Sequence, residues 1–293
     1  MRRILLRAHA KVNLGLEVVE RRSDGYHDID TIFQTISLAD ELELTPRDDE
    51  RVTLRSEGLR VPEGEGNLAV RAGRLLVERT GCPGVAIELG KRIPVAAGLG
   101  GGSADAAAVL VGMNALLGLG LTSEALRAHA LELGSDVPFL VEGGTARGRG
   151  RGEILDRLPP LALTGLVLVV PPIAISAAEA YRDVRIRLTD QDRFTRLNCS
   201  AIQDGVSPGV LAGLVNDLQE GQVRSHPEIR RAIDALLDAG ADAAIMSGSG
   251  PSVVGLVRSK EEAELVASRV PECGRVVLAV QPVDIGAEIV TTE

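Results

Sequence analysis

The feature that most constrains the fold of this chain is a glycine-rich segment that leads directly into an alanine-rich one. Residues 94–108 read PVAAGLGGGSADAAA. Glycine allows positive φ angles and lets the backbone approach a ligand closely. Ser103 is a favourable N-cap residue, so it predicts a helix that begins there and runs to Leu117. A glycine loop at a helix N-terminus is typical of a phosphate-binding site, and a tight turn before a buried helix is the alternative.

The two common phosphate-binding loops do not fit this segment. A Walker loop requires Gly-Lys-Ser/Thr, whereas Gly102 is followed by Ser103 and the segment contains no lysine. The dinucleotide fingerprint G-x-G-x-x-G fails because the sixth position, counted from Gly98, is Ser103. The segment therefore indicates a phosphate site on a different fold.

Composition and charge argue against several classes of protein. The 293 residues carry 32 basic and 41 acidic side chains, and the net charge of −9 argues against a nucleic-acid-binding protein. No apolar run approaches the ~20 residues of a membrane span. The cysteines, Cys82, Cys199 and Cys273, are too widely spaced for a disulfide framework or a zinc site. We therefore expect a cytoplasmic protein with reduced thiols and no nucleic-acid or membrane partner.

The hydrophobic pattern predicts strands and helices in both halves of the chain. In the first half, strands are predicted over residues 5–19 and 31–44, separated by a turn, and helices begin at Asn67, Ser103 and Ser123. In the second half, helices are predicted over residues 228–239 and 261–270, and strands over 243–245, 252–257 and 275–283. Pro159 and Pro160 mark a hinge that divides the chain into domains 1–158 and 159–293. The predicted fold class is therefore α+β or α/β.

Three motifs, in order along the chain, resemble those of the GHMP kinases, a family of small-molecule kinases. They are AKVNL at residues 10–14, the glycine-rich segment at 94–108 and MSGSGPS at 246–252. The resemblance implies a two-domain fold, with an N-terminal ATP-binding domain and a ferredoxin-like C-terminal domain. It also implies a small-molecule substrate, with ATP and Mg²⁺ as cofactors. The sequence identifies no magnesium ligands, and it leaves a monomer and a weak homodimer both open.

Further motifs narrow the resemblance within the family. RSDGYH at residues 22–27, KRIP at 91–94 and GSDVPF at 134–139 resemble one branch of it. Members of that branch phosphorylate the 2-hydroxyl of a cytidine diphosphate derivative of methylerythritol, in the non-mevalonate route to isoprenoids. A GHMP-type kinase for another polyol and a non-catalytic nucleotide-binding module are the alternative functions.

The resemblance also implies a role for individual residues. Asp136 would be the general base, Lys11 the catalytic lysine paired with it, and Asn13 a ligand of the substrate hydroxyls. Tyr26 and Tyr181 would stack on the cytosine, and His27 would form a hydrogen bond with it.

Two further groups of residues are expected to bind phosphates and nucleotide. The third motif, with the expected substrate-binding residues Ser247, Gly248 and Ser249, would close the site near the phosphates of the substrate or the γ-phosphate of ATP. The nucleotide contacts would come from Asn67, Leu68, Lys91, Pro94, Gly98, Leu99, Gly100, Gly101, Gly102, Ser103 and Ala104.

Several of these residues also have purely structural interpretations. Asp136 and Asn67 could be helix N-caps, Tyr181 a core aromatic, and residues 247–250 a plain hairpin turn. The arginine- and glycine-rich run RGRGRGE at residues 147–153 is interpreted as a local feature that attracts anions, because the chain as a whole is acidic.

Overall fold

The computed structural model of the protein describes residues 3–162, 164–182, 184, 194–205, 213–271, 274 and 276–292. Its strands are β1 (Ile4–Arg21), β2 (His27–Pro46), β3 (Thr53–Gly58), β4 (Val85–Lys91), β5 (Thr145–Gly150), β6 (Ile154–Leu158), β7 (Gly165–Val170), β8 (Ala243–Met246), β9 (Val253–Val257), β10 (Val276–Val280) and β11 (Ala287–Thr292). Its helices are α1 (Leu68–Thr80), α2 (Gly101–Leu117), α3 (Ser123–Leu133), α4 (Val137–Glu142), α5 (Ala177–Arg182), α6 (Phe194–Gln203), α7 (Gln219–Ser225), α8 (Pro227–Asp238) and α9 (Lys260–Arg269).

The first sheet is built around the long hairpin of β1 and β2. Its strand order is β11-β1-β2-β4-β3, and β5 pairs with both β2 and β6. The pairs are antiparallel except for β3–β4, which is parallel. The strand predicted from the alternation over residues 5–19 is confirmed as β1. It is buried continuously from Ala8 to Leu16, polar residues included, so polar side chains of this stretch lie inside the protein.

Helix α2 forms the centre of the larger hydrophobic core. Ala104 and Ala106 to Ala108 are almost fully buried, because small side chains let the helix lie close to β1 and β2. The helix begins at Gly101, two residues before the predicted start. The N-cap is Gly100, with φ of 68°, so the predicted N-cap role of Ser103 is wrong and Ser103 lies in the first turn. A left-handed backbone at Gly100 ends the loop earlier than a serine cap would.

The second sheet has the order β10-β7-β9-β8, and its described pairs are antiparallel. In chain order the elements are β7, the group α5 to α8, the hairpin β8–β9, then α9 and β10. This is a β-α-β-β-α-β arrangement with the first strand between the third and the fourth, as in ferredoxin-like folds. The expected ferredoxin-like second half is therefore what the structure contains.

The end of the chain departs from the predicted domain division. Strand β11, which the hydrophobic pattern did not predict, pairs with β1, with Ala287 opposite Ala8. The predicted second domain, 159–293, thus includes a strand of the first sheet. Local periodicity could not reveal this, because β11 is short, largely exposed and stabilised by a partner at the other end of the sequence.

Two findings bear on the expectations from composition. Cys82 and Cys199 are free and buried, and Cys273 lies outside the described residues. Within the described ranges, no helix has the length and apolar character needed to cross a membrane.

Candidate active site

The three sequence motifs meet at one point, and the hydroxyl of Ser247 joins them. This hydroxyl donates to the carbonyl oxygen of Gly98 at 3.1 Å and accepts from the backbone N–H of Asn13 at 3.1 Å. The backbone N–H of Lys11 donates to the carbonyl oxygen of Leu99 at 3.0 Å. Strand β1, the glycine-rich loop and the turn before β9 are therefore fixed to one another by direct hydrogen bonds.

Two glycines make this convergence possible. A Cβ on Gly98, which has φ of 75°, would lie 2.5 Å from the carbonyl oxygen of Ser247. A Cβ on Gly248, with φ of 55°, would lie 3.0 Å from Oδ1 of Asn13. Both positions thus require a residue without a side chain, for the conformation and for the space.

Lys11 and Asp136, which the sequence analysis pairs, lie beside each other. Nζ of Lys11 is 3.4 Å from Oδ2 of Asp136 and donates to Oδ1 of Asn13 at 2.7 Å. The lysine side chain is only 6% exposed, whereas that of Asp136 is one-third exposed. The ammonium group is thus held rigidly while the carboxylate faces the adjoining cleft.

Asp136 occupies the N-cap position of α4, yet its side chain forms no capping hydrogen bond. The structural interpretation of Asp136 as a helix cap is therefore not supported. Its carboxylate is directed toward Lys11 instead.

Asn13 orients Lys11 and is itself held in place. Its Nδ2 donates to Oγ1 of Thr31 at 2.7 Å, and that hydroxyl donates to the carbonyl oxygen of Gly15 at 2.5 Å. The side chain of Asn13 is buried, and it lines the cleft with both of its amide atoms hydrogen-bonded within the protein. The predicted contact of Asn13 with substrate hydroxyls stays a prediction.

A cleft of about 790 Å³ is lined by the Lys11–Asp136 pair and by an aromatic group. Nine of the predicted site residues line this cleft. They are Lys11, Asn13, Tyr26, His27, Ser103, Asp136, Tyr181, Gly248 and Ser249. The cleft is also lined by charged side chains. Positive charge comes from Arg21, Arg151 and Arg182, and negative charge from the carboxylates of Asp24 and Asp136.

The aromatic group differs in one respect from the expectation that two tyrosines hold a base between them. Tyr181 stacks on His27, with ring centroids 5.2 Å apart and an interplanar angle of 24°. Tyr26 is 56% exposed, and the guanidinium of Arg151 lies 4.9 Å from its ring centroid. Tyr26 and the His27–Tyr181 stack thus form two separate aromatic surfaces in the same cleft.

Burial sets the protonation of the two stacked rings. Burial lowers the pKa of His27 below 6.5, and the charge of Arg21 lowers it further. Burial, with a contribution from Asp136, raises the pKa of Tyr181 well above 10. At neutral pH the imidazole is therefore uncharged and the phenol keeps its proton.

Arg151 is a site residue that the sequence analysis did not identify. Of the three arginines in the run at 147–153, Arg147 forms a bidentate pair with Asp30, at 2.8 and 2.6 Å, and Arg149 pairs with Asp156 at 3.0 Å. Arg151 alone lies in the cleft, against Tyr26. The run shows only that cationic side chains are present, and the fold decides which of them reaches the site.

Beside the glycine-rich loop, the structural interpretation of Asn67 as a helix N-cap is confirmed. Its Oδ1 accepts from the backbone N–H of Ala69 at 2.9 Å, which caps α1, and its Nδ2 donates to the carbonyl oxygen of Pro62 at 3.1 Å. Leu68 reaches the loop, because Cδ1 of Leu68 would lie 3.6 Å from a Cβ on Gly102. Asn67 and Leu68, which are predicted to contact nucleotide, thus border the glycine-rich loop.

Two predicted ligand contacts fit the structure poorly. The ammonium of Lys91 is buried and pairs at 2.6 Å with both Asp40 and Asp105, which argues against the predicted contact of this group with nucleotide. The hydroxyl of Ser247 is fully buried and occupied by the hydrogen bonds described above, which argues against its predicted contact with substrate. Both side chains support the loops from the inside.

Among the described residues, no group of three or more histidine, cysteine or acidic side chains could hold a metal ion.

The glycine-rich loop, the lysine–carboxylate pair and the adjoining cleft lie together, and comparison with known proteins identifies the family. Residues 67–144 match the family described as "GHMP kinases N terminal domain", and residues 200–276 match "GHMP kinases C terminal". The chain therefore belongs to the GHMP kinase family.

Within that family the chain is similar to proteins named 4-diphosphocytidyl-2-C-methyl-D-erythritol kinase. The one from Moorella thermoacetica is 48% identical over 276 residues, and the match covers 92% of this chain and 95% of the relative. The one from Geobacter metallireducens is 45% identical over 279 residues, with the same coverage of 92% and 95%. The resemblance to this branch, first seen in RSDGYH, KRIP and GSDVPF, is confirmed.

Solved structures agree with this assignment. The crystal structure of a 4-(cytidine 5'-diphospho)-2C-methyl-D-erythritol kinase matches with a TM-score of 0.79 and 38% identity, and it covers 95% of this chain and 99% of that one. Homoserine kinase from Cytophaga hutchinsonii matches with a TM-score of 0.77 and 21% identity, covering 98% and 97%. At that lower identity the second match shows the shared fold alone, and the predicted GHMP kinase fold is confirmed.

Proposed function

We propose that the protein transfers the γ-phosphoryl group of ATP to the 2-hydroxyl of 4-diphosphocytidyl-2-C-methyl-D-erythritol. The observation that carries the proposal is the ion pair of Lys11 and Asp136, which lies beside the glycine-rich loop in a cleft that also contains aromatic rings. Relatives that are 45–48% identical over most of the chain carry the name of this kinase.

In the proposed reaction Asp136 is the general base. Its partly exposed carboxylate accepts the proton of the attacking hydroxyl, which must approach within hydrogen-bond distance. Lys11, fixed by Asn13, stabilises the negative charge that develops on the hydroxyl oxygen and on the phosphoryl group. The oxygen of the substrate then bonds to the γ-phosphorus while the bond from that phosphorus to ADP breaks.

The glycine-rich loop and the N-terminus of α2 bind the triphosphate of ATP in this proposal. The first residues of α2 have free backbone N–H groups, and the positive end of the helix dipole favours bound anions. Ser103 lies in this first turn and also lines the cleft, so the phosphate site adjoins the Lys11–Asp136 pair.

The aromatic end of the cleft binds the cytosine. Stacking of a base on an aromatic side chain contributes roughly 1–3 kcal/mol. An uncharged His27 offers one hydrogen-bond donor and one acceptor, which suits the edge of a neutral pyrimidine. Arg151 lies over one face of Tyr26 and holds the orientation of that exposed ring through a cation–π contact.

Magnesium stays a proposal. When bound with ATP, Mg²⁺ neutralises charge on the phosphates. Mg²⁺ is usually carried by the phosphates of its nucleotide and by water, with one or two protein ligands at most. A cytoplasmic location, a monomer or weak homodimer, and the lack of a nucleic-acid partner also stay predictions from the sequence.

The experiment is a comparison of acceptor alcohols. Purified protein with ATP and Mg²⁺ is assayed for ADP release with 4-diphosphocytidyl-2-C-methyl-D-erythritol, mevalonate and homoserine, each over a range of concentrations. We expect kcat/KM for the cytidine substrate to exceed the other two by about a thousandfold or more, because a site built to pair polar groups discriminates strongly. A preference for mevalonate or homoserine would assign the protein to another GHMP kinase, and no turnover with any alcohol would favour a non-catalytic nucleotide-binding module.

A further inference from the structure

A cluster of three charged side chains is buried beneath the glycine-rich loop, and the reaction proposed above does not use it. Lys91 is the last residue of β4, and its side chain is 2% exposed. Its Nζ lies 2.6 Å from Oδ2 of Asp40 and 2.6 Å from Oδ2 of Asp105, which are both buried. Two carboxyl groups therefore share one ammonium group in the interior.

The cluster connects the two ends of the loop. Oδ1 of Asp40 accepts from the backbone N–H groups of Arg92 at 2.6 Å and Ile93 at 2.9 Å, which fixes the chain where it enters the loop. Lys91 reaches Asp105 in the second turn of α2, which fixes the chain where it leaves the loop. A Cβ on Gly101 would lie 3.1 Å from Nζ of Lys91, so the ammonium lies directly under the first residue of α2.

The two carboxyl groups are not equivalent. Asp40 has hydrogen-bond donors for both of its oxygens. Asp105 accepts from Lys91 through Oδ2, while its Oδ1 is buried without a hydrogen-bond partner in the described part of the chain. An ionised carboxylate with a bare, buried oxygen is strongly unfavourable. Burial accordingly raises the pKa of Asp105 well above its ordinary value, although the charge of Lys91 acts in the opposite direction.

The protonation of Asp105 matters for the loop above it. With Asp105 ionised, the cluster would carry a net charge of −1 directly under a site that has to bind a triphosphate. With Asp105 protonated, the charges of Asp40 and Lys91 balance, and the field of the helix N-terminus acts on the phosphates without opposition.

We propose that Asp40, Lys91 and Asp105 are positioning residues that hold both ends of the glycine-rich loop in the shape that binds phosphate, and that Asp105 acts as a neutral, protonated carboxyl group. This inference rests on the proposed binding of ATP by the loop. The three side chains act through the backbone of the loop and do not touch the reacting atoms.

The first test removes the cation. Lys91→Met is expected to raise the dissociation constant of ATP, measured by titration calorimetry, by about tenfold or more, because small misplacements of a binding group are costly. KM for the cytidine substrate should change by less than about twofold, since that substrate binds in the cleft and not on the loop. Lys260→Met, at an exposed lysine on α9, is the matched control and should leave both constants unchanged.

A second variant is the control in case Lys91→Met does not fold. Lys91→Met combined with Asp40→Asn removes both charges, so no unpaired ion is left in the interior. This double variant should fold, as judged by circular dichroism, and should show the same loss of ATP affinity. A folded double variant with the ATP affinity of the wild type would overturn the positioning role.

The third test addresses the proton. Asp105→Asn is neutral and can still accept from Lys91, so it should keep the ATP affinity within about threefold, whereas Asp105→Leu should lose about as much as Lys91→Met. The infrared spectrum of the wild type at neutral pH should contain the C=O band of a protonated carboxyl that Asp105→Asn lacks. If this band is missing, or if the two Asp105 variants lose the same ATP affinity, the proposal that Asp105 is neutral would be wrong. A wild type that fails to bind ATP would refute the proposed function instead, and the infrared band would still decide the state of Asp105.

Discussion

Nζ of Lys11, on the first strand, lies 3.4 Å from Oδ2 of Asp136, which immediately precedes α4. The lysine is buried and oriented by Asn13, whereas the carboxylate is open to the cleft. An ion pair that only stabilised the fold would need no such difference in exposure. The arrangement suits a base that must meet a hydroxyl group beside a fixed positive charge.

Asp136→Asn should lower kcat by about 10²–10⁴-fold, because the amide cannot accept the proton of the hydroxyl. KM for ATP should stay the same, since the loop and α2 are unchanged. Steady-state kinetics with the cytidine substrate measures both constants. Asp234→Asn, at an exposed aspartate on α8, is the control for the loss of one surface charge; equal kcat values in the two variants would rule out Asp136 as the base.

Tyr181→Ala should weaken binding of the cytidine substrate by roughly 1–3 kcal/mol, or about 5- to 150-fold in KM, because it removes one ring of the His27–Tyr181 stack. KM for ATP in the same variant is the internal control and should not change. If KM for the cytidine substrate stays at the wild-type value, Tyr181 is only a packing residue, which was its structural interpretation.

The binding of the cytidine substrate should depend on the protonation of His27. Its pKa in the folded protein lies below 6.5, so the ring is neutral at pH 7 and gains a proton only as the pH falls through that lowered value. The charged ring has two donors and no acceptor, so KM for the cytidine substrate should rise toward acid pH with a midpoint below 6.5.

The same shift has a consequence for stability. Between pH 6.5 and the lowered pKa, the unfolded chain binds a proton that the folded protein does not, so the contribution of His27 to the free energy of unfolding falls as the pH decreases.

Two variants test the effect of His27 on substrate binding. His27→Asn should abolish the rise in KM for the cytidine substrate at acid pH, whereas His129→Asn, at a histidine on α3, should keep it. A rise that persists in His27→Asn would contradict the assignment.

Ser247→Ala should destabilise the fold by about 1–3 kcal/mol, because it leaves the partly buried carbonyl of Gly98 and the buried N–H of Asn13 without their shared partner. Unfolding in urea measures the effect, and Ser268→Ala, an exposed serine on α9, should change stability by less than about 0.5 kcal/mol. If both variants are equally stable, the hydroxyl of Ser247 does not join the three motifs as described.

Much of this architecture could be predicted where the information is local. Apolar alternation predicted β1, and the glycine- and alanine-rich segment predicted a loop followed by a buried helix, because both patterns express a single element's own periodicity and composition. The proximity of Lys11 and Asp136 was accessible only through resemblance to a family. Nothing in either segment alone specifies that they meet.

The features that were missed depend on partners distant in sequence. Lys91 has the position of a nucleotide ligand in sequence, but its neighbours in space are Asp40 and Asp105. Strand β11 exists because β1 has a free edge, and Arg151 reaches Tyr26 because of the turn between β5 and β6. The stacking of Tyr181 on His27 likewise joins the two halves of the chain. Such contacts depend on how distant segments are arranged in the fold. The residue pattern of a single segment does not contain that information.

The most direct test of the account is a single turnover of γ-labelled ATP on excess enzyme with 4-diphosphocytidyl-2-C-methyl-D-erythritol, for the wild type and Asp136→Asn. We predict that the wild type transfers the label to the 2-hydroxyl of that substrate, located by phosphorus NMR of the product. Asp136→Asn should bind both substrates but transfer the label at least about a hundredfold more slowly. Transfer at the wild-type rate in Asp136→Asn, or label on a different hydroxyl, would contradict the proposed site and its chemistry.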